Sequence, residues 1–209
     1  MRYAHFALVI GLATSPTLAQ PIVGEEVIEP TAKQLAQLRA LTPAMVEARI
    51  TVESDSLEPL VTLTSDRVWK SNGRFTDKVR ADNFLRAFIS RDTGEVRYQV
   101  YQEITYSGEW RRFASVNFET SAGPASAPLL PINQEVLTCS YGLCSYREVM
   151  AFDVPRSLLD EVAARYSADT IRFWRFRFKG QSGLDWEDRI SPAELAGFLR
   201  VVDREMSNR

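Results

Sequence analysis

"EVRYQVYQEITY", residues 95–106, alternates more cleanly than any other stretch of the chain. Val96, Tyr98, Val100, Ile104 and Tyr106 fall on one side, and Glu95, Arg97, Gln99, Glu103 and Thr105 on the other. A period of two is the pattern of a half-buried strand. Asp92-Thr93-Gly94 stands just before it and an apolar run at 84–91 before that, so the two runs are expected to close as a hairpin.

The same reading extends in both directions. Strands are expected at 46–53, 60–64, 110–118, 135–140, 144–154 and 170–179, with an Asn-Gly turn in "SNGR" at 71–74. In "RFWRFRFKG" (172–180), Trp174, Phe176 and Phe178 share a face opposite Arg175, Arg177 and Lys179. Ile171 and Phe173 are out of phase with them, which predicts a bulge or a strand covered on both sides. "ETSAGPASAPLLP" (119–131) is rich in small residues and Pro and reads as a surface loop. Helical spacing marks 32–41, capped by Thr31 and ended by Thr42-Pro43. It returns at Leu158, Leu159, Val162 and Tyr166, and again at Leu195, Phe198, Leu199, Val202 and Met206. The last run opens with "SPAE", where Ser191 caps, Pro192 suits the first helical position and Glu194 completes a capping box. The expected fold is mainly β (α+β), an antiparallel β-sandwich-like core with two or three peripheral helices.

The first residues, "MRYAHFALVIGLATSPTLAQ", combine Arg2, an apolar run from Phe6 to Ala13 and a small-residue end at "TLA". This reads as a secretory signal at 1–19. The apolar run is far shorter than the ~20 residues that cross a bilayer. Without residues 1–19 the chain loses Arg2 and its one histidine, His5, leaving 24 Lys plus Arg against 27 Asp plus Glu, a net charge of −3. Such a balance offers no electrostatic footprint for nucleic acid or anionic lipid. Residues 20–43 are expected to be a flexible leader and short helix, and 44–209 a single β-rich domain, periplasmic or secreted.

Both cysteines lie in "TCSYGLCSYREV", residues 138–149. Redox pairs normally stand two residues apart at a helix start, whereas Cys139 and Cys144 enclose "SYGL" between strand-like flanks. A zinc site needs about four ligands, and no histidine remains to supply them. A disulfide closing a hairpin is the expected outcome. The missing histidine also removes Ser-His-Asp and Cys-His catalysis. No nucleophile elbow, phosphate-binding loop or dinucleotide fingerprint occurs, and "GQSG" at 180–183 reads as a turn. Paired carboxylates carry no linear signature; Asp185, Glu187 and Asp188 around Trp186 are candidates, with a solvated strand end and an inward Trp the competing account.

Two apolar strand faces each carry one charge. Arg112 accompanies Trp110, Ala114, Val116 and Phe118; Glu148 accompanies Tyr146, Met150, Phe152 and Val154. A lone buried charge is costly, so Arg112 and Glu148 are a candidate structural ion pair, the alternative being that both reach water near strand ends.

"YSGEWRRFASVNF" (106–118), "CSYGLCSYREVMAFDVPRSLL" (139–159) and "ISPAELAGFLRVV" (190–202) together resemble a group of secreted proteobacterial proteins to which no activity is assigned. The resemblance covers about the last half of the chain and implies an envelope location and one domain. The function expected is that of a non-catalytic periplasmic binding protein with an envelope protein as partner, contacting it through the loops at 139–144 and 119–131. No cofactor, metal, nucleic acid or membrane span is expected. The alternatives are a carboxylate-dependent hydrolase of the envelope and a structural subunit of an envelope assembly.

Overall fold

The computed structural model describes residues 32–66, 70–71 and 79–208, the pair 70–71 as backbone only. The expected signal, the leader up to Thr31 and nearly all of the turn at 71–74 lie outside these residues. The chain runs α1 (Ala32–Ala40), α2 (Pro43–Glu47), β1 (Thr51–Glu53), β2 (Leu60–Thr64), β3 (Lys70–Ser71), β4 (Val79–Ser90), β5 (Val96–Ser107), β6 (Phe113–Thr120) and β7 (Gly123–Pro128). It continues with β8 (Leu130–Ser140), β9 (Leu143–Asp153), α3 (Arg156–Ala163), β10 (Trp174–Gly180), β11 (Trp186–Ile190) and α4 (Pro192–Ser207).

The alternating stretch is the centre of the larger sheet. β5 pairs antiparallel with β4 on one side and β9 on the other, in the order β1-β2-β4-β5-β9-β8, with β3 also on β4. A second antiparallel sheet runs β11-β10-β6-β7. The inner residues of both sheets meet: Val100, Ile104, Met150 and Phe152 from the first, Val116, Phe118, Trp174, Phe176 and Phe178 from the second. Phe152 alone touches Phe118, Trp174, Phe176 and Phe178, with centroids 5.8–6.2 Å apart. Each such ring contributes about 1.5–3 kcal/mol through burial, before the ring–ring contacts add theirs. α3 and α4 pack together and close the same core with Leu158, Leu159, Val162, Leu195, Phe198, Leu199 and Val202.

Four local expectations are corrected. Residues 46–53 are not one strand: Thr42 caps α2 by accepting the Met45 amide, Pro43 occupies its first turn, and only Thr51–Glu53 is extended. Thr-Pro is here a helix start, because Pro lacks only an N–H that the first turn leaves unused. At 119–131 there is no simple loop; β7 lies on β6 at a sheet edge, where Pro124 and Pro128 are tolerated and Ala125 and Ala127 turn toward the core. The strand expected from 110 begins at Phe113, and Ala114 is an extra residue facing the Lys179/Gly180 step, a bulge that turns Phe113 inward and Ala114 out. Ile171 and Phe173 need no bulge, since β10 starts only at Trp174.

Packing also reaches back before Ala44. Leu38, Leu41 and Val46 are buried, and α2 lies on α4 at Gly197, where a Cβ would stand 2.5 Å from the Pro43 carbonyl oxygen and 2.6 Å from Val46 Cβ.

Candidate functional site

The polar interior has two nodes. At the first, Glu148 sits on the inner face of β9 with 1% of its surface exposed. Its neighbours in register are Ile104 on β5 and Gln134 on β8. It accepts the Arg112 amide at 3.0 Å, the Phe113 amide at 3.2 Å, Gln134 Nε2 at 3.1 Å and the Tyr106 hydroxyl. Tyr106 in turn accepts the Arg111 amide at 2.9 Å, and the Arg111 guanidinium lies 4.8 Å over its ring. Burial, and after it the Glu148 hydrogen bond, holds the Tyr106 hydroxyl protonated far above its usual range. Arg112 and Glu148 do meet, but through the Arg112 backbone. Arg112 has φ 51°, so its amide turns inward while its side chain is exposed. The arrangement replaces the expected Arg112 ion pair with a carboxyl whose hydrogen bonds come from neutral donors, while the buried cation of the node is Arg111, over the Tyr106 ring. It anchors the crossing from β5 to β6 and leaves Glu148 little free acceptor capacity for chemistry.

The second node contains one of the three acidic candidates. Asp185 pairs with Lys179 and Glu187 with Arg175 and Arg177, but their side chains are only 13% and 8% exposed, so they are ion-paired under the basic side chains and not a solvated strand end. Burial alone would raise the Glu187 pKa, yet Arg177 and Arg175 outweigh it and hold the carboxyl below its usual range. Asp188 shares the inner face with Trp186 and is buried. There it accepts Gln102 Nε2 at 2.9 Å and the Arg189 amide at 2.8 Å. Glu194, third in α4, accepts the Ser191 amide at 2.9 Å and completes the capping box read from "SPAE". Burial raises Asp188, and burial together with Asp188 and Asp82 pushes Glu194 up to about 7. A groove of about 730 Å³ is lined by Phe88, Val96, Tyr98, Asp153 and Arg156, and one of about 310 Å³ by Phe118, Arg175 and Glu187. Neither is lined by Asp188 or Glu194. Among the described residues, no group of three or more His, Cys, Asp or Glu is placed to hold a metal, and no helix is long and apolar enough to cross a membrane.

The surface is distinctive at the β8–β9 ribbon. Cys139 and Cys144 are cross-strand partners joined by a disulfide. The tip is a two-residue turn, Tyr141 at φ 50° and Gly142 at φ 81°, the double positive φ of tight hairpin turns. Glycine adopts this freely; Tyr141 does so at a cost and points its whole ring into solvent. Of the eleven large apolar residues exposed among the described residues, six lie on this ribbon: Leu130, Ile132, Val136, Leu137, Tyr141 and Leu143. β8 is the last strand of its sheet, and register shifts at Ile132 and Leu137 bulge it. The parity of 130–140 is broken twice, so alternation could not reveal these exposed apolar residues, nor mark Gln134 as the partner of Glu148. No protein-family model, curated protein or solved structure matches this chain.

Proposed function

We propose that the chain is a non-catalytic exported protein that acts by binding, presenting the β8–β9 ribbon to another protein of the cell envelope. The supporting observation is the concentration of exposed apolar side chains on one cross-linked ribbon at a sheet edge. Scattered apolar residues are normal on a surface, whereas their concentration on one ribbon favours an interaction site. The disulfide and tight turn hold the tip in one shape, which lowers the entropy lost on docking. The bulges and Pro131 discourage indiscriminate strand pairing along β8, so a partner must fit the side chains as well as the backbone. Export is supported by the signal-like residues 1–19 and by a disulfide of the kind that persists in oxidising compartments. The carboxylate-dependent alternative has less support, because Asp188 and Glu194 are buried and line neither of the two grooves.

The test is a photocrosslinking residue placed at Tyr141 or Leu143, with Leu57 as an exposed apolar control away from the ribbon. In the native cell envelope, one stoichiometric adduct with a second protein is expected from the ribbon positions and none from Leu57. Equal labelling from Leu57, no adduct, or an adduct only with another copy of this chain would overturn the reading.

A further inference from the structure

Asp188 and Glu194 lie where the start of α4 meets both sheets. Asp188 comes from β11, Glu194 from α4, and the cross-strand pair Asn83 and Gln102 from β4 and β5. All four are buried. The donors that reach the two carboxyls are neutral. Gln102 and the Arg189 amide serve Asp188, with the Asn83 amide and Trp186 indole beside it, and the Ser191 amide serves Glu194. The charges that bear on Glu194 are negative, those of Asp188 and of Asp82 on β4. The nearest arginine in sequence, Arg189, directs its guanidinium over the Phe173 ring at 5.5 Å. Gln102 spends its amide on the Asp82 and Glu103 carbonyls, at 3.2 and 3.3 Å, and on Asp188, while its buried Oε1 accepts no hydrogen bond among the described residues. Two carboxyls buried among neutral donors do not both ionise readily, and such a pair retains a proton.

We propose that Asp188 and Glu194 form a proton-holding joint between α4 and the two sheets, closed while the pair carries a proton and loosened when both groups ionise. This inference does not depend on the ribbon's partner. The direction follows from linkage. The Glu194 carboxyl is held protonated in the folded chain to about pH 7 but ionises near 4.5 when unfolded. Its contribution to stability is therefore fully present below about pH 4.5 and lost as the pH rises to about 7. Asp188, raised by burial, acts in the same sense.

The experiment compares urea unfolding of the purified protein with that of Glu194→Gln from pH 4.5 to 8. Glutamine keeps an oxygen for the Ser191 amide, so the capping box survives. The folding equilibrium constant of the wild type is expected to fall by about 10²-fold relative to the variant over this range. Parallel profiles would overturn the proposal. Should the variant fail to fold, a carboxyl-carbon NMR titration of the wild type decides: a Glu194 resonance titrating near neutrality supports the joint, and one titrating near its ordinary value overturns it.

Discussion

Glu148 shows how a buried carboxyl can be satisfied by neutral hydrogen-bond donors, with the buried Arg111 guanidinium nearby over the Tyr106 ring. Two backbone amides, an amide side chain and a phenol converge on the Glu148 carboxylate, so removing it costs more than removing the exposed Arg112 side chain. Glu148→Gln would turn an amide donor toward groups that already donate, and is expected to lose about 2–4 kcal/mol in urea unfolding. Arg112→Ala, which leaves the backbone amide in place, is expected to change stability by no more than about 0.5 kcal/mol. A large loss in Arg112→Ala that couples to Glu148→Gln would instead restore the guanidinium–carboxylate pair. Alternation placed Glu148 on the inner face, but it did not separate Asp188 from Asp185 and Glu187 around Trp186, and the inward turn of Asp188 emerges only from the strand at 186–190. Alternation could not show that Arg112 offers its backbone, because a single residue at positive φ leaves no periodic trace.

At the scale of elements, the β8–β9 ribbon is stapled at its tip, and just below the staple Trp110 lies 4.8 Å from the Tyr146 ring. A disulfide closing so short a loop stabilises by only about 2 kcal/mol in the chain-entropy view. Replacing Cys139 and Cys144 together by serine is expected to cost no more than that globally. Amide exchange should rise at 136–146 while the amides of β5 and α4 keep their protection. Loss of protection throughout the chain would show that the staple supports the whole fold. The hairpin and disulfide were legible from two cysteines around a Gly-containing turn in strand-like flanks. The helix at Pro43 and the strand at 123–128 were not, since Thr-Pro serves both to stop and to start a helix and an edge strand of Ala, Ser and Pro carries no hydrophobic signal.

For the whole molecule, two antiparallel sheets with helices against the same core were readable from strand-length alternation followed by two amphipathic runs. Which strands share a sheet was not, because pairing between β5 and β9 joins stretches about 40 residues apart that local pattern cannot connect. The longest such connection is α2 on α4, where Pro43 and Val46 meet Gly197 more than 150 positions later. Chain closure over that distance is entropically expensive before its contacts form, so this contact belongs to the native side of the folding barrier. Gly197→Ala, which forces a methyl against the Pro43 carbonyl and Val46, is expected to destabilise by about 1–3 kcal/mol. Almost all of it should appear as faster unfolding, with the refolding limb of the chevron unmoved. A slowed refolding limb would place the α2–α4 contact in the nucleus. The persistence of the folded chain, as distinct from its speed of formation, is then governed by how long two helices from opposite ends of the described chain stay in touch.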